Sequence, residues 1–300
     1  MTIVCATHFS KSSFGAVRAA AALASVHREK LCLLTVVPPG QPRPTPEELL
    51  SSSLQLQAVA LRGDGIEAEL DVLQGTLAKT VQDFCEQQAA SLLIVDDSTD
   101  PTPSLLGSPL QTFKAEVDVP LLVVRDPRPF EAWVHGPRAM KVLLALDHTW
   151  SASVALDWIS QLARFGPVDL VVAFIWWPAD ELTRQPNAHR PTPEATHAAM
   201  AEGILRELAG ALRTLPDNVR CRVHLELGAE HIAERLSDFA ADEQVDLFVL
   251  GSHPVTGPIA RMRALTSVSH GVLSNAPMSV ACIPSRLTPK LDMPHAAELR

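Results

Sequence analysis

The stretch IVCATHFSKSSFGAVRAAAALA, residues 3–24, recurs in altered letters as VLLALDHTWSASVALDWISQLA, residues 142–163. In both, a short apolar run reaches an alanine, Ala6 or Ala145, then turns polar and shifts to helical spacing. Ser12 falls on Ser151, and Leu23-Ala24 falls on Leu162-Ala163. A continuous apolar run followed by a 3.6-residue period reads as a buried strand feeding a helix, with Ser10 or Ser12 placed to cap the first copy. Further on, GTLAKTVQDFCEQQAASLLIV from Gly75 matches GAEHIAERLSDFAADEQVDLFVL from Gly228 after a two-residue adjustment. The chain is read as a tandem duplication.

Working outward, the first copy alternates. Strands are expected at 2–6, 31–37, 66–73, 92–95 and 121–124, with helices over 12–30, 46–62, 76–88 and 106–116 between them. Such alternation implies parallel βαβ crossovers and a doubly wound sheet in each copy. The segment RDPRPFEAWVHGPRAM (125–140) is rich in proline and lacks helical periodicity, so it is taken as the connection. The expected division is a first domain at 1–126, a linker at 127–140, a second domain at 141–286 and a C-terminal tail at 287–300.

Bulk composition excludes several classes. The 300 residues carry 25 Lys and Arg against 34 Asp and Glu, a net charge of -9 with no basic run, which argues against nucleic acid as a partner. Cys5, Cys32, Cys85, Cys221 and Cys282 are odd in number and show no CxxC spacing, so they read as small core residues in a reducing compartment. No apolar run approaches the ~18 residues of a membrane span, and the N-terminus does not read as a signal peptide. A cytoplasmic protein with no membrane partner is expected.

The duplicated unit resembles the universal stress protein domain. The resemblance rests on Ala6-Thr7-His8 and Ala145-Leu146-Asp147 at the end of each first strand, on the serine-rich helix starts that follow, and on Gly251 at the end of the fourth strand of the second copy. It implies two tandem doubly wound parallel five-stranded sheets in the order 3-2-1-4-5, the adenine nucleotide alpha hydrolase-like α/β fold. It also implies pairing of PLLVV (120–124) with MSVACI (278–283), the fifth strands of the copies, as an intramolecular pseudo-twofold dimer, with a homodimer of whole chains left open.

Ligands in such sheets lie outside the carboxyl ends of the strands where the winding reverses, here between the first and fourth strands. The family pattern G-x-x-G, followed later by G-S or G-T, therefore directs attention to Ala145 and Asp147 after one strand and to Gly251, His253, Gly257, Thr266 and Ser267 after the other. Glycine admits a phosphate close to the backbone, and amides and hydroxyls donate to it. Pro254 stands at the second glycine and offers no amide, while Thr266 replaces a later glycine across a loop longer by two residues. In the first copy Gly107-Ser108 keep the Gly-Ser positions, but Asp96-Asp97 replace the phosphate-approaching glycine and His8 replaces the ribose-facing acid. Each carboxylate would repel a polyphosphate by about 1 kcal/mol at surface dielectric.

The expected function is thus a non-catalytic universal-stress-type protein with a regulatory role, no certain cofactor, and at most weak binding of ATP in the second domain. The alternative is an ATP-binding sensor with slow hydrolysis, which needs Asp147, Gly251 and Ser267 to converge. Asp147, His148 and His253 supply three of the ligands a zinc ion needs, although exposed loop histidines are commoner than metal ligands. A pair of His8 with Asp96 or Asp97 reads as an ion pair before it reads as an acid–base couple. Trp176 and Trp177, at the end of the second strand of the second copy, read as packing under the long helix before they read as a base stack.

Overall fold

The computed structural model describes residues 2–7, 14–27, 29–40, 61, 66, 68–97, 117–146, 151–178, 181, 193–228, 231–252 and 268–284. The helices expected over 46–62 (apart from Leu61) and 106–116, the Gly107-Ser108 pair and the tail lie outside these residues.

In the first lobe the strands are β1 (Thr2–Ala6), β2 (Lys30–Val37), β3 (Ala68–Gln74), β4 (Ala90–Asp96) and β5 (Leu121–Val124), with helices α1 (Phe14–His27) and α2 (Leu77–Gln87). A connecting helix, α3 (Arg128–His135), leads to the second lobe. That lobe holds β6 (Met140–Leu146), α4 (Ser151–Leu162), β7 (Val168–Trp176), α5 (Pro193–Leu212), β8 (Val219–Leu227), α6 (Ile232–Asp242), β9 (Leu247–Ser252), α7 (Val268–Asn275) and β10 (Ser279–Pro284). Each lobe has the parallel order 3-2-1-4-5. The two meet edge to edge in a single ten-stranded sheet, β3-β2-β1-β4-β5-β10-β9-β6-β7-β8. At the junction β10 runs antiparallel to β5, with Val280 opposite Val123 and Cys282 opposite Leu121. The two expected sheets are therefore continuous, and their strand directions are opposed.

The duplication is exact at the level of register. Ile3 lies beside Leu92 and Cys5 beside Ile94 in the first lobe; Val142 lies beside Leu247 and Leu144 beside Val249 in the second. Alternate residues of every central strand face one of two cores. One core contains Ile3, Leu33 and Ile94 with Val142, Leu170 and Val249; the other contains Val4, Leu34 and Leu93 with Leu143, Val171 and Phe248. With both faces covered by helices, the strands read as continuous apolar runs. The alanines of α1 (Ala16, Ala19, Ala20, Ala21, Ala22 and Ala24) are buried, small enough to let the helix lie close on the sheet.

The helices before the fourth strands end alike. Ala89 follows α2 at φ 48 and Gln244 follows α6 at φ 54, both left-handed and neither glycine. Their amides close the turn, Ala89 N to Glu86 O at 3.1 Å and Gln244 N to Ala241 O at 2.9 Å. A left-handed residue with a Cβ costs about 1–2 kcal/mol, whereas glycine forfeits about 0.4–1 kcal/mol through the freer unfolded chain. Gln244→Gly is expected to raise stability by roughly 0.5–1 kcal/mol. A urea midpoint lower than that of the parent would contradict this.

The reading of 127–140 as a connection without helical character is corrected: Arg128–His135 is helical. Phe130 and Trp133, one turn apart, bury one face of α3 at 0 % and 1 % exposure. Trp133 Nε1 donates to Pro167 O at 2.8 Å, and Gly166 lies so close that a Cβ there would come within 2.6 Å of the same nitrogen. On the first-lobe side Arg18 grips Glu131, Nε to Oε1 at 2.6 Å and Nη2 to Oε2 at 2.5 Å. This connection is itself part of the core.

Candidate functional site: two crevices at strand ends

The winding reverses between β1 and β4 in the first lobe and between β6 and β9 in the second. Antiparallel pairing of β5 with β10 makes the two crevices open at opposite ends of the sheet. In the second lobe Ala145 lies beside Leu250, so the carboxyl ends of β6 and β9 stand next to each other. Gly251 is the penultimate residue of β9, partly buried and opposite Ile283 of β10. Of the residues expected at this site, Ala145 and Gly251 are described and are brought together; Asp147, His253, Gly257, Thr266 and Ser267 lie outside the described residues. So do His148 and Pro254. Ser267 immediately precedes α7 in the sequence. Among the described residues, no three His, Cys, Asp or Glu side chains gather as metal ligands.

At the other end of β9, Asp246 is 8 % exposed. It accepts from Arg138 Nη2 at 2.7 and 2.9 Å and from Lys141 N at 2.9 Å. That carboxylate is structural: it ties the amino ends of β6 and β9 together, away from the crevice.

The two tryptophans at the end of β7 separate. Trp176 is buried and meets His197 of α5 edge-on, with ring centroids 5.8 Å apart, as core packing under the long helix. Trp177 is 37 % exposed, and its indole occupies the space that a Cβ on Gly228 would need.

The first crevice is built differently. Register places Asp96, opposite Val124, where the second lobe has Gly251 opposite Ile283. Asp97 follows, in the place of Ser252. It is engaged by Arg125; His8, read from the sequence as its ion-pair partner, lies outside the described residues. Arg125 Nε donates to Asp97 Oδ2 at 2.7 Å and Nη2 to Oδ1 at 3.4 Å. The same guanidinium crosses into the second lobe: Nη1 donates to Met278 O at 2.9 Å and Nη2 to Leu273 O at 2.6 Å, while the Arg125 amide donates to Ser279 Oγ at 3.2 Å. Leu273 lies in the last turn of α7, where a cation meets the negative end of the helix dipole. Arg125 was not singled out from the sequence. The signal available was an arginine directly after the fifth strand of the first copy, where the second copy has Pro284.

Cys5 lies in the central strand near Asp96. Burial pushes its thiol well above the usual range, and the Asp96 charge adds to this. Burial likewise pushes Cys85 up to about 12. Both remain thiols at neutral pH and are poor nucleophiles.

Among the described residues no helix is long and apolar enough to cross a membrane. The family model for the universal stress protein family matches residues 1–125 and again 139–284. Among solved structures, a universal stress protein from Archaeoglobus fulgidus DSM 4304 is 15% identical with a TM-score of 0.63, covering 94% of this chain and 98% of that one. A putative universal stress protein from Pseudomonas aeruginosa UCBPP-PA14 is 18% identical with a TM-score of 0.67, covering 94% and 92%. The universal stress protein from Archaeoglobus fulgidus in complex with dAMP covers 49% of this chain and 98% of its own, at 18% identity and a TM-score of 0.33. No curated protein matches this chain. With the family model spanning both halves and the same sheet order in each lobe, the chain belongs to the universal stress protein family, as a tandem of two such domains.

Proposed function

We propose that this chain is a non-catalytic, cytoplasmic stress-response regulator in which only the second lobe keeps an adenine-nucleotide crevice, and a weak one. The observation that carries this is the contrast between equivalent positions. Gly251 leaves the end of β9 bare, whereas Asp96 and Asp97 place carboxyl groups at the end of β4 and Asp97 is committed to Arg125. A polyphosphate entering the first crevice would meet that negative charge in place of a bare backbone. In the second, Pro254 removes an amide from the loop, which weakens the cradle without closing it. ATP is the ligand of choice, with Ala145, Asp147, Gly251, His253, Gly257, Thr266 and Ser267 around it. The two lobes act as an intramolecular pair, joined through β5 and β10. The buried thiols of Cys5, Cys32, Cys85 and Cys282 suit a reducing compartment.

Calorimetric titration with ATP and magnesium is expected to give at most one site per chain with a dissociation constant weaker than ~1 μM. Gly251→Leu should abolish the binding heat while leaving the melting curve close to that of the parent. Submicromolar binding would overturn the reading of a degraded cradle. Release of inorganic phosphate on long incubation, lost in Gly251→Leu, would favour the slow-hydrolysis alternative.

A further inference from the structure

Both ends of the ten-stranded sheet are strands that, among the described residues, have a neighbour on one side only: β3 at one end and β8 at the other. Their charges are opposite. β3, AELDVLQ, carries Glu69 and Asp71; β8, VRCRVHLEL, carries Arg220 and Arg222. The antiparallel junction of β5 with β10 sets the strands of the two lobes in opposite directions, so β3 and β8 also run in opposite directions. A second copy placed head to tail therefore presents β3 to β8 as an antiparallel pair, which continues the sheet.

The faces agree as well. Glu69 and Asp71 lie beside Cys32 and Leu34, and Arg220 and Arg222 beside Asp169 and Val171. Cys32, Leu34 and Val171 belong to one core, so the four charged residues share one face of the sheet. When Glu69 is set opposite Arg222, the antiparallel register brings Asp71 opposite Arg220 without further adjustment. On the other face it brings Leu70, 38 % exposed, opposite the exposed Cys221. A shift by two residues trades one arginine for His224, and a shift by four sets Glu69 against Glu226.

We propose that the β3 edge of one chain pairs with the β8 edge of a second copy, Glu69 facing Arg222 and Asp71 facing Arg220, so that chains associate head to tail. Directly opposed opposite charges stabilise cross-strand pairs, and like charges oppose them. Twofold alternatives suffer from this: β3 against β3 sets Glu69 against Asp71, and β8 against β8 sets Arg220 against Arg222. The present partners of these side chains hold them weakly, because the pairs lie at the surface. Glu69 meets Lys30 at 2.8 Å with 60% of its side chain exposed, and Arg222 meets Glu243 at 2.5 Å with 51% exposed. A head-to-tail contact of this kind is heterologous, so growth continues beyond a dimer unless the rotation closes a ring.

Sedimentation velocity on the full chain at low salt tests this. The wild type is expected to shift to larger species as concentration rises and to lose them in high salt. E69K/D71K and R220E/R222E should each sediment as single chains, and an equimolar mixture of the two should recover association, since the reversed edges complement one another. Recovery in the mixture separates charge complementarity from damage to either variant. In addition, Leu70→Cys should form disulfide-linked ladders with native Cys221 on mild oxidation with oxidised glutathione, whereas Gln74→Cys should not. A wild type that stays a single chain at every concentration would overturn the proposal, as would association unchanged by either charge reversal.

Discussion

Trp133→Ala is expected to destabilise the protein by about 3–5 kcal/mol, the range for removing a large buried aromatic from a core that cannot fully collapse. Trp133 is 1 % exposed and packs against Phe165 with ring centroids 6.2 Å apart. It donates to Pro167 O at 2.8 Å, so truncation also removes one of that carbonyl's two donors, Met140 N at 3.0 Å remaining. The effect reaches beyond one helix, because α3 is held from both sides. Glu131 is gripped by Arg18 of α1 in the first lobe, while Trp133 is seated on residues 165–167 of the second. Thermal unfolding followed by far-UV circular dichroism should show a midpoint lower by roughly 5–10 °C. Trp133→Phe, which keeps most of the packing and loses the hydrogen bond, should cost about 1 kcal/mol plus a small cavity term. Equal, small effects for both variants would mean that 125–140 is only a connection.

Arg125→Met should cost about 2–3 kcal/mol and weaken the joint between the lobes. The guanidinium satisfies Asp97, Leu273 O and Met278 O together, and its side chain is 11% exposed. Methionine keeps much of the aliphatic volume and none of the donors. Since the Asp97 side chain is 32% exposed, the ion pair alone is screened, and the larger share of the cost comes from the two carbonyls. Asp97→Asn should therefore be milder, about 1 kcal/mol, and a double-mutant cycle should give a coupling smaller than the full Arg125 effect. Calorimetric unfolding that splits from one transition towards two in Arg125→Met is the expected signature; an unchanged single transition would show that β5 and β10 hold the lobes unaided. The brace is one-sided, since the residue equivalent to Arg125 is Pro284, which has no donor to offer.

The duplication and the alternation of strands and helices were legible in the sequence because they are written in local pattern, whereas the strand order came from the resemblance. The copies at 3–24 and 142–163 carry the same apolar run and helical spacing, and the β1/β4 and β6/β9 registers match position for position. The helix expected over 76–88 is Leu77–Gln87, and the strand expected over 92–95 lies within Ala90–Asp96. What escaped is of two kinds. The helix α3 has only Phe130 and Trp133 as buried positions, one turn apart among prolines, which is too short a pattern to register as a period. The Arg125 contacts with Leu273 and Met278 span 148 and 153 residues and arise only when β10 pairs with β5. Of the candidate nucleotide site, the residues read from the sequence that are described, Ala145 and Gly251, stand at neighbouring strand ends, and Asp96 takes the place of Gly251 in the first lobe. The sequence could not say that Asp97 would be engaged by Arg125, 28 residues on, since nothing local to Asp97 names its partner.

Native mass spectrometry with stepwise addition of ATP and magnesium tests most directly whether the first crevice has become a brace and the second alone takes nucleotide. The expected spectrum shows no more than one nucleotide per chain, lost in Gly251→Leu and retained in Asp97→Asn. Two nucleotides bound to each wild-type chain would contradict the assignment.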